Sequence, residues 1–123
     1  MDKEADRILK KAVGEFLKTE RHNRSRKMTQ ESMAQLIDIS QEQYSRIENG
    51  KGRLGILELH TICNRLGCTL TDLVFRMEGA LLTAGLLSPA REGKYRRWLS
   101  IYNTYYGISD IKKISENENG TDK

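Results

Sequence analysis

Residues 29–50 read TQESMAQLIDISQEQYSRIENG, two short helical patterns separated by three residues, Asp-Ile-Ser. In the first, Thr29 is a good N-cap and Met33, Ala34 and Ile37 fall on one face. In the second, Ser40 caps the helix, and Gln43, three residues on, can complete a capping box. Tyr44 and Ile47 point inward together, and Gly50 ends the helix where a left-handed residue is needed. Asp38 sits where the first helix must stop, and Asp tolerates a left-handed conformation better than most residues. With so short a link the two helices cannot run antiparallel and must cross steeply. That arrangement is a helix-turn-helix, whose second helix offers its outer N-terminal residues to a major groove.

The outer surface of that second helix is unusual. It carries amides and an arginine where an ordinary solvated helix carries Lys and Glu. Glutamine can pair bidentately with adenine, arginine with guanine, and a glutamate can accept from the cytosine amino group. Gln41, Glu42 and Arg46 are therefore the candidate base-reading residues.

Helical periodicity extends outward from this centre in both directions. Ile8, Leu9, Val13, Phe16 and Leu17 mark an amphipathic helix over roughly 5–24, followed by a basic stretch. After the loop KGRLG, a stripe of Ile56, Leu59, Ile62, Cys63 and Leu66 predicts a fourth helix ended by Gly67. Thr69 with Asp72 opens a fifth, carrying Leu73, Val74 and Met77. Leu81, Leu82, Leu86 and Leu87 suggest a further short helix. Ser88-Pro89 then starts a longer one that runs to about Tyr106. The pattern contains no strand signal, so the expected class is all-α.

Length and charge bound the rest. The chain has 123 residues, 37% of them apolar, which suits one modest helical core with an extension. Its net charge of +4 is uneven. Residues 1–28 hold nine Lys/Arg against five Asp/Glu, and 79–115 hold six against two. Residues 29–78 hold five against seven. A polyanionic partner is favoured, met by a surface assembled from several elements. The N-terminus has no apolar signal segment, and no run is long enough to span a bilayer. With two cysteines and no secretory context, the expected compartment is the cytoplasm. His60, Cys63 and Cys68 are too few for a zinc site and read as surface and core residues. No nucleotide loop or nucleophile motif suggests an enzyme, and no metal, cofactor or small-molecule ligand is expected.

The stretch at 29–50, the helix-four stripe and LGCTLTDLV together resemble the phage repressor/Cro (XRE) type of helix-turn-helix transcription regulator. The resemblance covers roughly residues 12–77. It implies a five-helix, lambda-repressor-like DNA-binding domain that acts as a dimer on a near-palindromic operator. Base reading by Gln41, Glu42 and Arg46 matches it position by position. It implies further that Gln30 and Ser40, at two helix N-termini, contact phosphates. Asn49, Lys51 and Arg53 would then lie in a loop along the DNA backbone. Asp38 stands where such proteins usually carry Gly. The arginine that commonly pairs with the helix-three acid is Asn23 here, leaving Arg21 and Arg24 as candidate partners of Glu48.

The organisation expected is a DNA-binding domain at 1–77, a helical extension at 78–114 and a disordered tail at 115–123. On the extension, Tyr95, Trp98, Leu99, Tyr102 and Tyr106 form an aromatic stripe interleaved with basic residues. It suits a homodimer contact, since aromatic residues are enriched at interface centres. Packing onto the five-helix domain and added phosphate contact are the other readings of the stripe. A different class of function, an antitoxin-like module, would use the stripe to bind a partner protein.

Overall fold

The computed structural model describes residues 2–23 and 28–106, and helices joined by short turns and loops make up that range. Helix α1 spans Lys3–His22, α2 Gln30–Leu36, α3 Gln41–Glu48, α4 Ile56–Leu66, α5 Leu70–Thr83 and α6 Pro89–Tyr106. Residues up to Leu86, with α1–α5, form one compact unit, and α6 belongs to a second that starts at Leu87. Arg24 and the tail at 115–123 lie outside the described residues, as does the side chain of Tyr106.

Each helix begins at a side chain or backbone suited to it. Asp2 accepts hydrogen bonds from the N–H groups of Glu4 and Ala5, at 3.0 and 3.2 Å. Thr29, Ser40 and Thr69 accept from the N–H groups of Ser32, Gln43 and Asp72. Ser88 accepts from the Arg91 N–H, with Pro89 in the first helical position. Such caps satisfy N–H groups that have no partner inside the helix, each worth about 1 kcal/mol. The core of the first unit is Phe16 and Leu17 from α1, Met33 and Ala34 from α2, and Tyr44 and Ile47 from α3. Val13 from α1, Leu59, Ile62, Cys63 and Leu66 from α4 and Leu73 from α5 complete it.

Gly14 explains how α1 and α3 come so close. A methyl group placed on it would lie 2.5 Å from the Glu48 carbonyl oxygen and 2.7 Å from that of Ile47. Alanine would gain about 1 kcal/mol of helix propensity, and the clash with rigid backbone costs more than that. Glycine in the middle of a 20-residue helix is thus a packing requirement between the first helix and the end of α3.

The turn between α2 and α3 closes as the sequence demands. Asp38 has φ 62°, and the N–H of Ile39 bonds to the Ala34 carbonyl at 3.0 Å, the pattern of a left-handed helix stop. A non-glycine residue in that region is strained, Asp less than most. Asp38→Gly is therefore expected to stabilise the unit by up to about 1 kcal/mol, raising its melting temperature by a few degrees. A thermal melt that shows no rise would mean Asp38 makes a compensating contact.

Three expectations need correction. The separate helix over Leu81–Leu87 does not form, because α5 continues through Gly79 to Thr83 and so crosses the boundary expected after Met77. A glycine inside a helix costs only about 1 kcal/mol, which burial of Leu81 offsets; the real stop is Gly85, with φ 74°. Ile56, read as part of the α4 core stripe, is 64% exposed. It is the first residue of α4, ahead of the turns that meet the core. Val74, grouped with Leu73 and Met77 as the apolar members of the fifth helix, is 43% exposed, since the buried position next to it is Leu73.

Candidate nucleic-acid interface

The position of α3 is set from below. Tyr44, Ile47 and Glu48 are all buried, which leaves Gln41, Glu42, Gln43, Arg46 and Asn49 exposed. Glu48 is the most telling of the three, a carboxylate only 4% exposed. Burial alone would push its pKa up, because the charged form loses water. Arg21 grips it with two bonds, Nε to Oε2 at 2.9 Å and an Nη to Oε1 at 2.8 Å. The Tyr44 hydroxyl donates to Oε2 at 2.7 Å and the Gln30 amide to Oε1 at 2.9 Å. These donors outweigh burial and bring the Glu48 pKa down from 4.5 to about 2. Burial, and then the neighbouring Glu48 carboxylate, push the Tyr44 phenol up, so it stays a donor.

This cluster locks three helices together through one ion. Arg21 comes from α1, Gln30 from the start of α2, and Tyr44 and Glu48 from α3. Arg21 also donates to the Met28 carbonyl at 3.2 Å, tying down the segment that enters α2. Arg21, one of the two candidate partners the sequence offers, binds Glu48. Gln30 has a role that its sequence position did not announce, since one of its amide protons goes to Glu48.

The N-terminus of α3 is held by the expected capping box. The Gln43 N–H donates to Ser40 Oγ at 3.1 Å, and the Ser40 N–H donates to Gln43 Oε1 at 3.2 Å. At the other end, the N–H groups of Lys51 and Gly52 both bond to the Arg46 carbonyl, at 2.8 and 3.1 Å. Gly50 supplies the left-handed turn with φ 76°. The loop therefore folds back onto the end of α3, exposing Asn49, Lys51 and Arg53. Arg46 reaches the Lys51 carbonyl at 3.5 Å, and Arg53 meets Asp6 at 3.3 Å. Both contacts are solvent-exposed and weak enough to be exchanged for a phosphate or a base.

On α6, Trp98 is 61% exposed and Ile101 40%. Tyr95, Leu99 and Tyr102 are partly buried. Among the described residues no three His, Cys, Asp or Glu side chains gather as metal ligands, and no helix is long and apolar enough to cross a membrane.

Two short helices joined by a tight turn, a firmly seated second helix and a polar outer face with cations on the following loop define a helix-turn-helix domain. A helix-turn-helix family model matches residues 18–73. Control protein C.MunI from a Mycoplasma species is 41% identical over 51 residues, which cover 42% of this chain and 69% of that protein. The chain belongs to the phage repressor/Cro (XRE) type of helix-turn-helix transcription regulators, a DNA-binding family. Two solved structures of the clp gene regulator ClgR from Corynebacterium glutamicum share the fold. One has a TM-score of 0.52 at 24% identity, over 58% of this chain and 90% of that one. The other has a TM-score of 0.55 at 20% identity, over 80% and 93%.

Proposed function

We propose that the chain is a sequence-specific repressor that binds a near-palindromic operator as a dimer and acts by occluding it. The observation that carries this reading is the contrast between the two sides of α3. One side is fixed by the Glu48 cluster, and the other presents Gln41, Glu42 and Arg46 to solvent. Side chains read base edges only when the helix that bears them is held in register, and phosphate contacts set that register. Gln30 and Ser40 mark the helix N-termini that approach the backbone, and Asn49, Lys51 and Arg53 lie on the loop that follows α3. A dimer sets two such helices into successive major grooves about one helical turn apart.

The aromatic stripe of α6, Tyr95, Trp98, Leu99, Tyr102 and Tyr106, is the surface assigned to the second copy. Exposure of Trp98 equally fits a partner protein, which is the antitoxin-like reading. Sedimentation of the purified chain separates the two: two chains per particle support the repressor dimer, and one supports the partner-binding module.

Salt dependence tests the DNA-binding surface. Each cation that neutralises a phosphate releases counterions, so log affinity falls linearly with log salt. Lys51→Ala is expected to reduce that slope by about 0.9 per protomer, with a similar loss on every duplex. An unchanged slope would remove the loop from the DNA.

A further inference from the structure

The family resemblance implies a phosphate contact by Ser40 at the start of α3, but the hydrogen bonds around Ser40 leave it nothing to donate. Its backbone N–H goes to Gln43 Oε1 at 3.2 Å, and its hydroxyl goes to the same oxygen at 3.3 Å. Its hydroxyl oxygen accepts from the Gln43 N–H at 3.1 Å. A phosphate needs donors, and Ser40 has only a lone pair left.

The same bonds define Gln43. Its amide oxygen takes two donors, which fills that atom's capacity and fixes which end of the amide faces the cap. The Nε2 end keeps two protons on an exposed side chain, and no partner for them occurs among the described residues. Direction supports a role for them. Successive residues of an α-helix advance about 100°, so Gln43 lies about a quarter turn from Tyr44, which points inward, and a quarter turn from Glu42, which points outward. In a helix lying in a groove, the outward positions face base edges and the flanks face the phosphate walls.

We infer that Gln43, through its Nε2 protons, donates to a DNA backbone phosphate beside the start of α3, in the place assigned to Ser40. The capping box then serves two purposes. It closes the helix, and it aims a donor-only group at the backbone with its rotamer already fixed. The inference rests on the DNA-binding reading above and adds a positioning residue to it.

The test compares Gln43→Ala with Ser40→Ala on two duplexes, one of mixed sequence and one carrying the wild type's selected site. Binding is measured at several salt concentrations, and thermal melts establish that each variant is folded at the working temperature. Gln43→Ala is expected to weaken both duplexes by the same factor, about tenfold, with no change in salt slope because the lost group is neutral. Ser40→Ala keeps the bond between the Ser40 N–H and Gln43 Oε1, so its affinity should stay within about twofold although it loses half of the cap. Equal losses in both variants would mean that the helix merely frays, and a loss confined to Ser40→Ala would return the contact to the hydroxyl. A loss confined to the selected site would make Gln43 a base reader. Each of these overturns the inference, as does an unaffected Gln43→Ala beside a wild type that binds. A wild type that binds neither duplex overturns the DNA-binding reading and the inference with it.

Discussion

Replacing Glu48 by alanine is expected to cost the first unit about 3–5 kcal/mol, most of the stability of a small helical domain. The cost does not come from losing a salt bridge as such, since a buried ion pair can be roughly neutral against a well-packed apolar replacement. It comes from what is left behind. Arg21 would remain largely buried as an uncompensated cation, and Tyr44 and Gln30 would lose their acceptor. Acid should do more gradually what the substitution does at once. The folded-state pKa of Glu48 lies near 2 against an unfolded value of 4.5, so its contribution is fully present above pH 4.5. It is lost as the pH falls towards 2, and the shift corresponds to roughly 3 kcal/mol. Urea unfolding at pH 7, 4 and 2.5 measures both effects. The wild type should lose stability across that range, and Glu48→Ala should show a weaker dependence from a lower start. Equal pH dependence in the two proteins would mean the carboxylate is not held as described.

The second large effect concerns DNA. Gln41→Ala combined with Arg46→Ala should abolish discrimination between operator and random sequence while leaving the fold intact, because both side chains are exposed on α3. Each bidentate base contact is worth about 1–3 kcal/mol of discrimination, so losing two weakens operator binding roughly 30-fold or more. Nonspecific binding should fall only modestly, by the phosphate attraction of one arginine. Competition between the two duplexes for the same protein gives the ratio directly. If both affinities fell by the same factor, Arg46 would be serving as a phosphate contact only.

The sequence made plain those features whose cause is local. Ser40 with Gln43, Gly50, Gly67 and the left-handed Asp38 are all determined by a few neighbouring residues, and all appear where cap and turn chemistry put them. The outward face of α3 was legible for the same reason, since Tyr44 and Ile47 fix which side is buried. Features that depend on meeting another element were not legible. Gly14 looks like an ordinary helix weakness until the carbonyls of Ile47 and Glu48 arrive beside it. Periodicity gave Ile56 the right side of α4 but could not say that the first turn lies ahead of the core. The leucines at 81–87 suggested a separate helix because periodicity is local, whereas the burial of Leu81 that carries α5 past Gly79 is tertiary. That Arg21 pairs with Glu48 could not be read from the sequence, because the pair forms only where α1 packs against α3. The bond from Gln30 to Glu48 and the donor-only end of Gln43 required actual hydrogen bonds.

The most direct measurement is selection of bound sequences from random duplex DNA at moderate salt, with the wild type and Gln41→Ala/Arg46→Ala run side by side. The expected result is a near-palindrome enriched by the wild type, with half-sites about one helical turn apart, and its loss in the double variant. Failure of the wild type to enrich any motif would contradict the assignment of α3 as a reading helix.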